Sequence, residues 1–337
     1  MNEDILHKSI EISDIELIRK MITISGEKLC LFFNIDPNKT KELVNNLVIE
    51  SKLSGHNNKI YLINFYDNQQ VQIGKICLKY SAENINKNRL KVESNILSML
   101  NSNAILCPKL IDVVSDDDKS FILMEVIDGE SASESVLDVK TSEIILDTIQ
   151  SHELVLGNNL ETLQLVDENL NLDKEIDYEK KLLGFLQKFI PNLIIKNSLG
   201  FINTFLNDST VIKKSFVTDR SADNIFIGEN NGIIMVDFST VRIGTQFDNW
   251  IQFIEDPKGK FSCSQEELIQ LFFKKNNLEE KELKFFYSAS IYTNLLQGIF
   301  TYKKNPQLAM EYFRKVNYSY IKLTGENNIL VDTSALI

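Results

Sequence analysis

Two short stretches hold residue types that could do chemistry together. Asp219-Arg220-Ser221-Ala222-Asp223-Asn224 gives Asp-x4-Asn, and thirteen residues beyond Asn224 comes Asp237-Phe238-Ser239. A carboxylate can orient a hydroxyl and take its proton. An amide oxygen and a second carboxylate can hold magnesium on the phosphates of a nucleotide. That is the chemistry of phosphoryl transfer, with Asp219 as candidate base and Asn224 and Asp237 as candidate metal ligands.

Such a site also needs a cation on the inner phosphates. Lys79 stands in Lys75-Ile76-Cys77-Leu78-Lys79-Tyr80, an otherwise apolar strand pattern. An ammonium there calls for a counter-charge. Glu93, fourteen residues later on the next helical pattern, is the candidate partner. Asp and Asn are also common turn and cap residues, so no one of these positions decides alone. The ordered set carries the reading.

The elements that must position them follow from periodicity. Residues 1–48 read as helical, broken at Pro37-Asn38. Residues 46–53 and 59–66 read as a hairpin across Ser54-Gly55-His56-Asn57-Asn58, and 70–80 as a further strand. A helix is expected over 86–101, a short strand over 109–114 and an apolar strand over 120–127, stopping at Asp128-Gly129. Helices are then expected over 131–156, 177–190 and 194–207. Strands 224–227 and 233–238 flank Gly228-Glu229-Asn230-Asn231-Gly232, a hairpin signal, and 264–324 is mostly helical. A small sheet-bearing part followed by a larger helical part would leave a cleft between them. The expected organisation is a helical extension at 1–48, a nucleotide-binding sheet and helix at 49–127, and a helical part with the catalytic loop at 128–337.

Composition bounds the alternatives. With 47 acidic against 36 basic residues the net charge is -11, which disfavours nucleic acid as a partner and suits a cationic substrate or simple solubility. No run is long and apolar enough for a membrane span, and the acidic start lacks a signal-type apolar segment, so a cytoplasmic protein is expected. Cys30, Cys77, Cys107 and Cys263 are widely spaced and read as reduced thiols. Three histidines (His7, His56, His152) leave little material for a histidine metal site or a Ser-His-Asp triad.

At this point the chain resembles the aminoglycoside phosphotransferase family, within the protein-kinase-like superfamily that includes choline and methylthioribose kinases. The matching stretches are Leu53 to Asn58, Lys79 with Glu93, Pro108-Lys109-Leu110, Ile122 to Gly129, Asp219 to Asn224, and Ile234 to Phe238. Gly244 and Asp248 resemble the family's downstream pair that braces the catalytic loop. The resemblance implies an α+β, bilobal protein-kinase-like fold, with a small antiparallel-sheet N-lobe and a larger helical C-lobe. It implies Mg2+ and ATP or GTP, and transfer of the terminal phosphoryl group to an alcohol. Ser54 and Asn58 would approach phosphate, and Glu125 and Ile127 would form the hinge beside the base. The chain departs from the family at Val217, where His is usual, at Thr218 and Ser239, where Gly is common, and at Arg220, where an apolar residue is usual. Arg220 reads either as a contact for phosphate or an acidic substrate or, more simply, as a surface residue paired with Asp223.

Three functions stay open on the sequence. One is a small-molecule kinase for an aminoglycoside-like antibiotic, amino alcohol or sugar. Another is a Ser/Thr kinase of a peptide or protein acting with a partner enzyme. The last is a non-catalytic pseudokinase scaffold. Glu153, Glu161, Asp167, Glu168, Asp173, Glu175, Asp177 and Glu179 make one segment acidic, either a wall for a cationic substrate or a solvated helical face.

Overall fold

A computed structural model of the chain describes residues 12–54, 58–81, 84–115, 120–159, 194–195, 214–228, 232–302, 304–327 and 329–332. These divide into two compact units. One draws on Met1–Asp128 and Val236–Ser239, the other on Gly129–Met235 and Thr240–Ile337.

The first unit opens with three short helices, α1 (Ile12–Ile24), α2 (Gly26–Phe32) and α3 (Thr40–Asn45). Five strands follow: β1 (Leu47–Ser54), β2 (Lys59–Tyr66), β3 (Gln72–Ser81), β4 (Leu110–Ser115) and β5 (Ser120–Glu125), with α4 (Asn84–Ser102) between β3 and β4. The sheet is antiparallel throughout, in the order β1-β2-β3-β5-β4. Strand alternation explains its two faces. Tyr61, Ile63 and Phe65 of β2 and Ile76, Leu78 and Tyr80 of β3 share one face and pack with Ile18, Met21, Leu29 and Leu43 of the helices. Each such side chain, fully buried, stabilises by roughly 1.5–3 kcal/mol. Asp14 of α1 adds a polar tie to β2, accepting from Tyr61 Oη at 2.6 Å and Lys59 Nζ at 2.9 Å. Cys77 and Lys79, one position out of phase, therefore stand on the opposite face from this core. Strand β5 is two residues shorter than expected, because its pairing with β3 ends at Ile76 and Glu125.

The second unit does not begin with a helix at residue 131. Glu130–Ser131 (β6) adds a strand to the hairpin of β10 (Ile225–Ile227) and β11 (Ile233–Met235). Val136–Leu137 (β7) runs parallel to β13 (Lys260–Phe261). Close approach fixes the first of these turns: a Cβ on Gly129 would lie 2.7 Å from the Ile227 carbonyl oxygen. Helix α5 (Val139–Asn158) starts only where Asp138 caps it, accepting from the Thr141 N–H at 2.7 Å. Ile194–Ile195 is likewise a strand, β8, paired with β14 (Val331–Asp332), where a helix was expected. The rest of the expected 194–207 helix, and that at 177–190, lie outside the described residues.

Strand β9 (Lys214–Val217) pairs with β12 (Arg242–Thr245), which leads into α6 (Asp248–Ile254). Three helices complete the unit: α7 (Gln265–Lys275), α8 (Glu280–Tyr302) and α9 (Pro306–Thr324). Ser264 and Glu267 form a reciprocal capping box on α7. Helix α9 starts at Asn305-Pro306 and ends at Gly325, whose φ of 71° suits glycine. Trp250, Phe272 and Phe286 pack as tilted rings between α6, α7 and α8, and α8 packs on α9 through Ile291, Leu295, Phe313 and Val316. No described helix is long and apolar enough to cross a membrane. All four cysteines are free thiols.

Candidate active site

In the first unit, Lys79 and Glu93 meet as their spacing suggested. Lys79 comes from the central strand β3, and α4 brings Glu93 over the face that the hydrophobic core leaves free. The ammonium lies 2.8 and 3.0 Å from the two Glu93 oxygens and 2.7 Å from Asp237 Oδ1. Lys79 is 3% exposed and Glu93 1%. Burial works to lower the Lys79 pKa, but the two carboxylates outweigh it and hold the ammonium above its ordinary range. Cys77, on the same face, has its thiol pushed up to about 12 by burial and stays protonated.

Asp237 does not end a strand, since β11 stops at Met235. It sits in the left-handed region with φ 55°, a conformation that costs a non-glycine residue free energy and is often found where function demands it. Donors converge on one of its oxygens: Ser239 Oγ at 2.5 Å, the Ser239 N–H at 3.2 Å and Lys79. Burial alone would raise its pKa, yet Lys79 and Ser239 hold it below the usual carboxylate range. Its side chain is 40% exposed, and among the described residues none donates to Oδ2. The next residue, Phe238, is fully buried and donates its N–H to Glu93 at 3.1 Å. An ionised carboxylate with one oxygen tied and the other open to solvent is the donor that magnesium takes.

In the second unit, the segment after β9 carries Asp219 and Asn224. Asp219 is half-buried and accepts from the Ser221 N–H at 3.0 Å, an Asx turn that orients the carboxylate. Asn224 closes a single 3-10 turn over Ala222–Asn224, and its Nδ2 donates to the Asp219 carbonyl at 3.4 Å. That leaves the amide oxygen as the end available to a cation. No cluster of three or more His, Cys, Asp or Glu among the described residues could hold a metal.

Arg220 is not a surface residue paired with Asp223. It is 1% exposed, its guanidinium lies 3.2 Å from His152 Nδ1, and burial lowers its pKa to about 10 against the pull of Glu153 and Asp219. Asp223 pairs instead with Lys258. Val217, at 1% exposure, is a core residue. Of the expected bracing pair, Gly244 lies opposite Ser215 in the β9–β12 ladder, and Asp248 accepts from Thr245 N–H and Oγ1 at 2.6 and 2.5 Å.

Glu153 is not on a solvated face. It accepts from Asn249 Nδ2 at 2.8 Å and Trp250 Nε1 at 3.0 Å. Burial pushes its carboxyl up to about 7 against those two hydrogen bonds. It also borders a cavity of about 340 Å³ with Gln150, Trp250, Phe272, Asn276 and Glu282. The other acidic residues of its segment, Glu161 to Glu179, lie outside the described residues.

Sequence reasoning missed the contacts to the Asp219 segment from α6 and the residues after it. Asn249 Oδ1 accepts from the Thr218 N–H at 3.0 Å, and its Nδ2 donates to the Phe216 carbonyl at 2.8 Å. Gln252 Oε1 accepts from the Arg220 N–H at 3.1 Å, and Asp256 Oδ2 from the Ala222 N–H at 2.5 Å. Their one sequence signal is polar residues at helical spacing, 249, 252 and 256, among Phe247, Trp250, Ile251, Phe253 and Ile254, with Asp248 and Glu255 also in the stretch. Of the remaining expected residues, Ser54 ends β1 opposite Lys59, and Asn58 is buried, while 55–57 lie outside the described residues. Glu125 closes β5, its carboxylate accepting from the Lys109 N–H at 3.2 Å, and Ile127 follows half-buried.

No family model matches the sequence, and no curated protein does. Solved structures do match. A gentamicin complex of APH(2″)-IIa aligns over 92% of this chain and 96% of its own, at TM-score 0.55 and 16% identity. A streptomycin–ATP ternary complex of APH(2″)-IIa gives the same coverage at TM-score 0.52 and 15% identity. A putative fructosamine-3-kinase from Haemophilus somnus 129PT aligns over 87% of this chain and 96% of its own, at TM-score 0.50 and 13% identity. Identities this low speak to architecture: the chain, a mixed helix-and-sheet protein with a five-stranded antiparallel sheet, has the protein-kinase-like fold found in aminoglycoside phosphotransferases.

Proposed function

We propose that the chain is a phosphotransferase that uses ATP or GTP with Mg2+ and transfers the terminal phosphoryl group to a hydroxyl of a small molecule. The observation that carries this reading is the triad Lys79, Glu93 and Asp237, three ionisable groups from distant sequence positions bonded within 3.0 Å. Burying a lone ammonium and carboxylate is unfavourable.

In the proposed reaction Lys79, oriented by Glu93, neutralises the inner phosphates. Asp237 and Asn224 supply the oxygen ligands of Mg2+, which offsets charge on the transferring group. Asp219 orients the acceptor hydroxyl and receives its proton. Glu125 and Ile127 would offer their backbone to the base, and Ser54 and Asn58 would flank the turn that approaches phosphate. Such a reaction would draw on the cytoplasmic nucleotide pool. The fold neighbours, two of them complexes with gentamicin and streptomycin and one a putative fructosamine kinase, favour an amine-bearing polyhydroxyl acceptor. The net charge of -11 suits a cationic one.

The test is phosphoryl transfer from labelled ATP and GTP to a panel of aminoglycosides, amino alcohols, glycated amines and Ser/Thr peptides. Asp219→Ala serves as the control. Transfer to a small acceptor, abolished by Asp219→Ala, is the expected result. Transfer confined to peptides would replace the acceptor class. Nucleotide binding without any Asp219-dependent transfer would make the chain a scaffold.

A further inference from the structure

We infer that Asn249, Gln252 and Asp256 form a strap of positioning residues that sets the backbone on both sides of Asp219. This rests on the phosphotransferase reading, in which Asp219 acts on the acceptor. The pattern is regular. Alternate N–H groups, those of Thr218, Arg220 and Ala222, are each received by a side-chain oxygen, from Asn249, Gln252 and Asp256 in turn. Steps of three and four residues keep those oxygens on one side of α6 and its continuation. Asp219 lies between two tied peptides, so its Cα cannot shift without loosening one of them.

Asn249 makes the tightest link. It is fully buried, and it takes both the Phe216 carbonyl and the Thr218 N–H, reading the chain as a neighbouring strand would. Its second Nδ2 hydrogen goes to Glu153, which Trp250 also holds. The amide is therefore fixed in the one orientation that serves the loop. Val217, between the two peptides that Asn249 grips, is apolar and buried and brings no side-chain hydrogen bond of its own. Below Asp219 in the chain, Asp256 ties Ala222, whose carbonyl accepts from Ser131 Oγ at 3.1 Å. The carboxylate of Asp219 then needs only its Asx turn to Ser221 to be placed.

Gln252 is the member to test, because it is only half-buried and its loss leaves the core intact. Full-length wild type, Gln252→Ala, Gln252→Glu and Asp219→Ala are compared. The readouts are Mg-ATP turnover to water and to gentamicin, Mg-ATP affinity, melting temperature, and hydrogen exchange at the Arg220 amide. The strap predicts that Gln252→Ala keeps Mg-ATP affinity and melting temperature, speeds exchange at Arg220, and lowers kcat by about ten- to a hundred-fold with little change in the nucleotide KM. Gln252→Glu, which keeps an acceptor oxygen, should recover most of that loss. Asp219-dependent turnover that Gln252→Ala leaves unchanged would overturn the strap while the proposed function stands. Turnover absent from wild type or indifferent to Asp219→Ala would instead overturn the proposed function and leave the strap nothing to position.

Discussion

Removing the Lys79 ammonium should leave Glu93 as an uncompensated charge at 1% exposure. In Lys79→Met the side-chain volume is nearly kept, so packing loss is small. What disappears is the contact of Nζ with two Glu93 oxygens and with Asp237. The Phe238 N–H at 3.1 Å remains for Glu93 and compensates only in part. Breaking one partner out of such a buried pair costs about 3–5 kcal/mol, which for a domain of this size lowers the melting temperature by roughly 10 °C. The sign with pH is set by Glu93. Without the ammonium its folded-state pKa lies above the unfolded value, so the folded chain binds the extra proton, and the variant loses stability as pH rises. The gap between wild type and variant should therefore be wider at pH 8 than at pH 5. Adding Glu93→Met should recover much of the loss, since an apolar pair has no charge to desolvate. Urea unfolding of the three proteins at both pH values measures all of this. A single variant within about 1 kcal/mol of wild type at pH 8, or a double variant no better than the single, would refute the desolvated pair.

Glu153→Gln should flatten part of the pH dependence of stability. With its carboxyl at about 7 when folded against 4.5 ordinarily, wild type holds a proton that the unfolded chain has lost between those values. Its stability relative to the variant should fall by up to roughly 3 kcal/mol as pH rises from 4.5 to 8. The neighbours Arg220, Asp248, Asn249 and Trp250, with Glu282 across the cavity, are common to both proteins, so the difference between their urea midpoints isolates this group. Ser264→Ala removes one half of the α7 capping box and should cost about 1 kcal/mol in the same assay, with turnover unchanged.

The parts that were legible in the sequence are those where local pattern and long-range need coincide. A lysine in an apolar strand has to find a carboxylate, and Glu93, on the next helical pattern, is the one that meets it. The β1–β2 hairpin follows from the turn signal between Ser54 and Asn58, set between two strand-like runs of which Lys59 to Tyr66 is rich in aromatic and branched residues. The misread parts depend on partners far along the chain. Strands β6, β7 and β8 are two residues each, and only pairing with β10, β13 and β14 makes them strands. Arg220 looked exposed because its company, His152 and Glu153, comes from a helix 68 residues earlier. The strap on the Asp219 segment was invisible for the same reason: Asn249 and Gln252 carry ordinary polar side chains, and only the fold aims them at particular peptides.

The most direct measurement is calorimetric titration of ATP, with and without Mg2+, into wild type, Asp219→Ala and Asp237→Ala. Asp237 as a magnesium ligand predicts Mg-dependent binding that is kept in Asp219→Ala and weakened by at least about tenfold in Asp237→Ala. Equal affinity in all three proteins, or binding indifferent to Mg2+, would contradict it.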